Sequence, residues 1–295
     1  LGTRDEFDYW LVKAAVHLGA VLREGEEAVS YDIGQSGVTV RTSKDTYTGK
    51  LLIGADGVNS RIAKIIRGPF RRNELAVCLC TECYDTKNIN YNRGQIEIHY
   101  GPLPMSYSWV FPKRESILVG MGVWASESAG LKAAYKDFLE KKGIKKQDVR
   151  SYTVHLGGIG RITVADRVLL TGDAAGFVDP LTGEGIRYAI ASGRQAAKAA
   201  ASVILEDLDL NLQNLLIYKK DCIDEFGNDL KAAMSVARLF HKLPNFLFRM
   251  YFSSQEPFEK SLEILQGRIG YQDYYRWLIP HVPGMLLKKA APALG

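Results

Sequence analysis

The most informative segment of the chain runs Arg167-Val168-Leu169-Leu170-Thr171-Gly172-Asp173-Ala174-Ala175-Gly176 and continues, after a loop, with Gly183-Glu184-Gly185-Ile186. Its first half is a continuous apolar run, which is typical of a buried parallel strand. An acidic residue at the carboxyl end of such a strand stands where α/β sheets bind ligands. Asp173 can accept hydrogen bonds from sugar-like hydroxyls, and the helix that we predict from about Gly185 favours negative charge at its N-terminus. A plain strand-to-helix turn with close-packing glycines explains the same residues.

A second strand end carries a similar pattern. Residues 50–55 form another apolar run, Lys50-Leu51-Leu52-Ile53-Gly54-Ala55, which ends at Asp56-Gly57. Ser60 is suited to cap a helix from Arg61, because its hydroxyl can accept a backbone N–H of the first turn. A turn that needs Asp and Gly for its dihedral angles is the alternative. Two such sites in one chain favour a ligand role for both, and we expect the two loops to converge on one ligand.

The rest of the chain indicates an interrupted α/β fold. Apolar spacing predicts a helix from Arg4 to Leu18, and a β-hairpin follows with strands at 28–33 and 38–41. Residues 75–124 are rich in strand patterns, and a helix is predicted from Leu131 to Lys141. From Leu208 the pattern is helical and aromatic. The strands of the first domain therefore lie on both sides of an inserted antiparallel sheet.

The segment Pro104-Met105-Ser106-Tyr107-Ser108-Trp109-Val110-Phe111-Pro112 places three aromatic residues at every second position. On a strand, Tyr107, Trp109 and Phe111 face the same side. They would make an apolar wall with a phenol and an indole N–H as polar groups, which suits a ligand pocket. An ordinary core face is the alternative.

Composition excludes several classes of protein. The chain has 295 residues, of which 46% are hydrophobic, and four cysteines. This apolar fraction excludes intrinsic disorder, and no apolar run approaches the ~20 residues of a membrane-spanning helix. Four cysteines are too few for a disulfide-stapled secreted scaffold, so we expect a reducing, cytosolic compartment. The net charge of +5 is spread along the chain, and no basic cluster predicts nucleic-acid binding.

Two motifs resemble known sites but do not fit them. Gly120-x-Gly122-x-x-Ala125 is similar to a dinucleotide fingerprint, yet Trp124 falls inside the turn and the next helix begins too late. Cys78-x-Cys80-x-x-Cys83 lacks a nearby fourth ligand, which structural zinc requires. We predict buried strand cysteines and no metal.

Taken in order, these motifs resemble FAD-dependent monooxygenase-type flavoproteins, and among them the geranylgeranyl reductase branch. The matching segments are Arg4-x-x-Phe7-Asp8-x-x-Leu11, Gly54-Ala55-Asp56-Gly57, Leu170-Thr171-Gly172-Asp173, Pro180-Leu181-Thr182-Gly183-Glu184-Gly185-Ile186 and the aromatic segment 104–112. Aromatic hydroxylases usually have His where Gly176 stands and Gln where Glu184 stands. The family's opening strand, G-x-G-x-x-G and helix have no counterpart here, so we expect that this N-terminal βαβ segment is missing.

The resemblance implies a domain plan. It comprises a Rossmann-like FAD-binding domain in two parts (1–72 and 161–206), an antiparallel-sheet substrate domain (73–160) and a C-terminal helical region (207–295). It also implies cofactor contacts at Arg4, Ala28, Asp56, Gly57, Asp173, Gly183, Gly185 and Ile186. Tyr107, Trp109 and Phe111 would line the prenyl pocket; no proton donor is identified.

The implied activity is hydride transfer from reduced FAD to isolated double bonds of geranylgeranyl chains, with NAD(P)H or ferredoxin as electron donor. The alternatives are an electron-transfer dehydrogenase acting between ferredoxin or quinone and FAD, a flavin-dependent monooxygenase, and a flavin-free remnant. The aromatic and basic segments at 238–252 and 277–289 allow two interpretations. One is a peripheral membrane surface for prenyl lipids, and the other is a helical subdomain that closes a substrate tunnel. The oligomeric state is not predicted.

Overall fold

The computed structural model describes residues 4–145, 148–242 and 255–288, the last eight of these as backbone alone. The strands in this part of the chain are β1 (Ala28–Ile33), β2 (Val38–Thr42), β3 (Thr46–Gly49), β4 (Leu52–Gly54), β5 (Leu75–Cys83), β6 (Glu97–Tyr100), β7 (Ser106–Pro112), β8 (Ile117–Trp124), β9 (Arg150–His155), β10 (Val164–Ala165) and β11 (Val168–Leu170). The α-helices are α1 (Arg4–His17), α2 (Arg61–Arg67), α3 (Leu131–Lys141), α4 (Gly172–Ala175), α5 (Ile186–Leu205), α6 (Leu212–Cys222), α7 (Asn228–Lys242), α8 (Gln255–Leu265) and α9 (Tyr271–Lys288).

These elements form two compact units. The first comprises Leu1–Leu52, Val77–Val123 and Ser128–Tyr152, and the second comprises Ile53–Ala76, Trp124–Glu127 and Thr153–Gly295. Both units are discontinuous in sequence, as expected of a mixed α/β fold with an inserted sheet. The boundaries predicted at 72, 160 and 206 remain predictions.

The first unit begins with α1 and a three-stranded antiparallel sheet of order β1-β2-β3. The predicted hairpin is confirmed, with Ile33 opposite Val38 and the Gly34 N–H donating to the Gly37 carbonyl across the turn. Strand β3 was not predicted. Helix α1 begins where it was predicted to begin, yet none of its described side chains is buried, and Trp10 is 66% exposed.

The larger sheet has the order β6-β7-β8-β5-β9. Helix α3, which has the predicted bounds, covers one of its faces with Leu131, Tyr135 and Leu139. The Tyr135 hydroxyl donates to the Val119 carbonyl at 3.0 Å, so the helix is also tied to the sheet by a buried hydrogen bond. The other face of the sheet carries the aromatic residues of β7.

The second unit contains a three-stranded sheet of order β10-β11-β4. Strand β11 is fully buried, as its apolar run predicts. The buried strand predicted over residues 50–55 is wrong in extent: β4 has three residues, and Ile53 is 42% exposed. Because β3 ends at Gly49, the chain has to turn at Lys50 and Leu51 before β4 can begin.

Helices make up the remainder of the second unit. Ser60 caps α2 as predicted, its Oγ accepting the Ala63 N–H at 2.9 Å. A π-helical turn over Ile223–Gly227 joins α6 to α7. Tyr274 and Leu278 of α9 pack with Val236 of α7. Across the ranges given above, no helix is both long and apolar enough to cross a membrane. The apolar residues between Leu243 and Phe252 lie outside the described residues.

Candidate active site

The two strand ends singled out by the sequence are neighbours in the second unit. The Thr171 N–H, just beyond β11, donates to the carbonyl of Gly54 at the end of β4, with N and O 2.9 Å apart. A Cβ on Gly54 would lie 2.7 Å from Cδ2 of Leu170, so the approach of the two strands depends on this glycine. The loops that carry Asp56 and Asp173 therefore start from adjacent points at one edge of the sheet.

Asp173 lies beside the N-terminus of α5. It belongs to the short helix α4, which is tied to α5 because the Gly172 N–H donates to the Ser192 hydroxyl at 2.9 Å. Oδ1 of Asp173 would stand 3.3 Å from a Cβ placed on Gly185, the N-cap residue of α5. The absence of a side chain at position 185 thus leaves the carboxylate next to the backbone that opens this 20-residue helix.

The loop between α4 and α5 is held by its own polar groups. Oδ1 of Asp179 accepts the N–H groups of Leu181 and Thr182 at 2.8 and 3.1 Å. Burial raises the pKa of Asp179, although hydrogen bonds from Tyr271 and from these backbone groups favour the charged form. Gly183 has a φ of +71°, which a residue with a Cβ adopts only under strain.

Asp56 has a local role at the start of α2. Its Oδ2 accepts the N–H groups of Arg61 and Ile62 at 2.7 and 3.4 Å, so that it caps the helix together with Ser60. Gly57 has a φ of +73°, and the space around its missing Cβ is open. The turn interpretation therefore holds for both residues, and their contact with a cofactor remains a prediction.

Arg4 and Ala28 belong to the first unit. The Arg4 guanidinium pairs with Asp8 one turn along α1 at 2.9 Å, and both side chains are exposed. Ala28 opens β1 opposite Thr42. Nothing in the geometry of this unit tests the cofactor contacts predicted for them. Ile186, the first residue of α5 in the second unit, is 41% exposed.

The aromatic face of β7 is present as predicted. The ring centroids of Tyr107 and Trp109 are 5.5 Å apart and those of Trp109 and Phe111 are 6.1 Å apart, so the three rings share one side of the strand. Trp109 is 8% exposed, and its indole lies over Gly120 of β8. A Cβ at position 120 would be 2.2 Å from Cζ2 of the indole. The Gly120-x-Gly122 motif thus makes room for a tryptophan.

Cys78 and Cys80 of β5 lie on the same side of the sheet as these rings, whereas Cys83 packs on the α3 side. A Cβ on Gly122 would be 3.0 Å from Sγ of Cys78. Burial raises the pKa of Cys78 to about 11 and that of Cys80 to about 12, so both thiols are neutral at physiological pH. Among the residues whose side chains the structure gives, no three His, Cys, Asp or Glu are grouped to hold a metal ion.

Sequence reasoning missed a group of side chains that contacts the segments carrying Asp56 and Asp173. It consists of Arg67, Phe70, His155 and Arg161. His155 and Arg161 flank the glycine-rich segment 157–160, and Arg67 ends α2 just beyond the Asp56 turn. The only sequence signal was the proximity of these basic residues to glycines.

The comparisons with known proteins agree with the motifs. No family model matches the chain. It is 32% identical over 281 residues to digeranylgeranylglycerophospholipid reductase 1 of Methanopyrus kandleri, covering 88% of this chain and 72% of the relative. It is 30% identical over 267 residues to digeranylgeranylglycerophospholipid reductase 2 of the same organism, covering 82% and 65%.

Solved structures show the same fold. A geranylgeranyl bacteriochlorophyll reductase-like protein from Thermoplasma acidophilum superposes with a TM-score of 0.72 and 25% identity, over 88% of this chain and 71% of that one. The flavin-dependent halogenase CmlS superposes with a TM-score of 0.63 at 20% identity, over 81% and 47%. With the ordered motifs and the adjacent strand ends, these relatives show that the chain belongs to the geranylgeranyl reductase family of flavoprotein oxidoreductases.

Proposed function

We propose that the protein is an FAD-dependent reductase that saturates isolated double bonds of a geranylgeranyl lipid. The observation that carries the cofactor assignment is the position of Asp173 against Gly185, at the edge where β4 and β11 end. Ligands bind at this edge of α/β sheets. The prenyl-lipid substrate is supported by the relatives, which are named as reductases of digeranylgeranylglycerophospholipid.

The residues present fit a flavin nucleotide. The carboxylate of Asp173 can accept hydrogen bonds from ribityl hydroxyls. The unpaired N–H groups at the N-terminus of α5 can donate to the electron-rich edge of the ring. Because Gly185 has no side chain, a flat ligand can approach its backbone. A Cβ there would also crowd Oδ1 of Asp173, 3.3 Å away. We assign the ribityl chain to Asp173, the pyrimidine edge to Gly185 and Ile186, and supporting backbone contacts to Gly183, Asp56 and Gly57.

When bound, FAD supplies the hydride that is added to the alkene. An isolated alkene is a poor acceptor, so the protein has to position the prenyl chain and exclude water. Tyr107, Trp109 and Phe111 are our candidates for the apolar wall that contacts the prenyl chain of the substrate. The Cys78 thiol adds no charge to this face, because burial raises its pKa to about 11. NAD(P)H and ferredoxin are the two candidate electron donors.

Replacing Asp173 by Asn tests the cofactor assignment in the full-length protein. A hydrogen bond to a charged group contributes about 1.5–3 kcal/mol, so we expect FAD to bind about 10- to 100-fold more weakly. The measurement is a titration of flavin fluorescence. Asp137→Asn, on the exposed side of α3, is the matched control. Equal affinity in the Asp173 and Asp137 variants would remove Asp173 from the site.

The reaction is tested with a geranylgeranyl lipid and chemically reduced FAD under anaerobic conditions. We expect a mass gain of two hydrogens for each double bond that is saturated. Trp109→Leu should slow this conversion at low lipid concentration more than it weakens FAD binding. Flavin reoxidation by ferredoxin or quinone without any change in lipid mass would favour the electron-transfer alternative.

A further inference from the structure

We propose that Phe70, Arg67, His155 and Arg161, which we name the Phe70 cluster, position the two cofactor loops as one body. This inference rests on the proposed FAD site and adds residues that hold it from behind. The cluster lies in the second unit, and its members come from α2, the segment after α2, the end of β9 and the loop before β10. None of the four is a predicted ligand contact, so we assign them as positioning residues.

His155 connects Phe70 to the Asp56 loop. Its ring lies on Phe70 with centroids 3.3 Å apart and a 31° angle between the planes. Its Nε2 is 2.8 Å from the carbonyl oxygen of Val58, which follows Gly57 in the chain. Because a carbonyl can only accept, Nε2 carries the proton and the imidazole is fixed in this tautomer. The side chain, 1% exposed, thereby holds the loop at its carbonyl.

Arg67 connects the same ring to the Asp173 loop. Its guanidinium carbon is 3.9 Å from the centroid of Phe70. Nη2 donates to the Ala174 carbonyl at 2.6 Å, and Nη1 donates to the Ala175 carbonyl at 3.4 Å. The last carbonyls of a helix have no intrahelical donors. Arg67 therefore caps α4 from behind, one residue beyond Asp173.

Arg161 contributes the second guanidinium, with its central carbon 4.4 Å from the ring centroid of Phe70. Its Nη1 occupies the space beside Gly176, where a Cβ would be 2.4 Å away. The backbone of the same segment supports this contact, because the Gly158 N–H donates to the Gly176 carbonyl at 2.7 Å. Glu74 lies 3.4 Å from Nε of Arg161 and partly balances the charge.

The aromatic ring explains how two guanidinium groups share this space. Buried Nε of Arg67 and Nη1 of Arg161 have no hydrogen-bond partner among the described residues. The face of an aromatic ring attracts cations within about 6 Å, and both groups lie within that distance. Burial lowers the pKa of Arg67 to about 10, and the nearby positive charge of Arg161 contributes to this decrease. Arg67 therefore remains charged at neutral pH. One phenyl ring thus links residues 56–60 to residues 172–176.

Phe70→Leu is the central test, because leucine keeps apolar volume but removes the ring face. We expect FAD affinity to fall about tenfold, with an altered circular dichroism of the bound flavin. The matched control is Phe138→Leu in the first unit, whose ring also contacts a histidine and a cation, His99 and Lys142. The proposal is overturned if the two variants bind FAD equally well with the same flavin spectrum.

Amide hydrogen exchange in the flavin-free protein separates this inference from the proposed function. In Phe70→Leu, the amides of residues 57–60 and 172–178 should both exchange faster than in the parent protein. If the parent protein binds no FAD but both loops still loosen together, the proposed function fails and the positioning role stands. If only one loop loosens, or neither, the link between them is contradicted.

Arg67 gives a second test that does not depend on the fate of Phe70→Leu. Arg67→Met should weaken FAD binding and expose the Ala174–Phe177 amides, whereas Arg67→Lys should restore part of both, because it keeps the charge without the two-pronged geometry. Lys64→Met on the exposed side of α2 removes an equal charge and should change neither. Equal effects of Arg67→Met and Lys64→Met would contradict the assignment.

Discussion

Two phenylalanine rings in this protein carry similar partners, and they differ in what those partners hold. Phe138 contacts His99, with centroids 5.3 Å apart, and Nζ of Lys142 lies 6.0 Å from its centroid. Phe70 contacts His155 and two arginines at shorter distances. The partners of Phe138 both end on the carboxylate of Glu97. The partners of Phe70 donate mostly to backbone carbonyls, among them those of Val58, Ala174 and Ala175.

The difference shows that the same combination of residue types, a phenylalanine with a histidine and a cation, can have two structural roles. Around Phe138, the charges of Lys142 and Glu97 neutralise each other, and the side chain of His99 is 43% exposed. Around Phe70, the donors restrain residues 58, 174 and 175, which adjoin the proposed cofactor contacts. The first arrangement adds local stability, and the second sets the position of two loops.

The largest expected difference between the two clusters is their response to acid. Burial lowers the pKa of His155 to about 4, assisted by the nearby Arg161 and Arg67 and opposed by the Val58 carbonyl and Glu74. The unfolded chain takes up this proton near pH 6.5, while the folded chain does not until about pH 4. The free energy of unfolding should therefore fall by about 3 kcal/mol as the pH drops from 6.5 to 4.

This is measured by urea unfolding across that pH range. His155→Gln keeps a donor for Val58 but does not titrate, so its stability curve should lack the fall between pH 6.5 and 4. The Phe138 cluster should respond at lower pH. Burial opposes the charge on Glu97, but hydrogen bonds from Lys142, the Asn92 N–H and His99 outweigh it and lower the pKa to about 2. The stabilisation by this carboxylate is then lost between about pH 4.5 and 2, and His155→Gln should leave that loss unchanged.

A smaller effect is expected from Gly176→Ala. Gly176 has a φ of +84°, so a Cβ adds about 1–2 kcal/mol of backbone strain, and it would also displace Arg161 from the ring. Gly57→Ala shares the strain, at a φ of +73°, but its Cβ would enter open space. We expect Gly176→Ala to be the more destabilising of the two by roughly 1–3 kcal/mol. Equal losses in thermal unfolding would mean that Arg161 moves aside without cost.

The smallest effect is expected from Lys142→Met. It breaks the ion pair with Glu97 and removes the cation near Phe138. Both side chains of the pair are only 12% exposed, so we expect a loss somewhat above the roughly 1 kcal/mol typical of surface pairs. FAD affinity should stay unchanged, as measured by the same titration. A weaker affinity would show that the residues around Phe138 also affect cofactor binding.

Local patterns predicted several elements because neighbouring residues determine them. Helix α3 has the bounds that its apolar spacing predicts, and Ser60 caps α2 because hydroxyl and N–H lie within one turn. Strand β3 was not predicted, and β4 is shorter than the strand predicted over residues 50–55. Pairing with a neighbouring strand, rather than the segment's own composition, sets where such strands begin and end.

By itself, the sequence determined the order of the motifs, the α/β class and the three aromatic residues on one face of β7. These follow from the period of a strand and from the residues that close a strand or open a helix. Only the tertiary structure decided that Asp173 lies against Gly185, that Gly120 makes room for Trp109, and that one ring joins Arg67, His155 and Arg161. Such contacts join residues up to about a hundred positions apart, as with Arg67 and Ala174. Packing between distant elements determines them, and no local pattern encodes it.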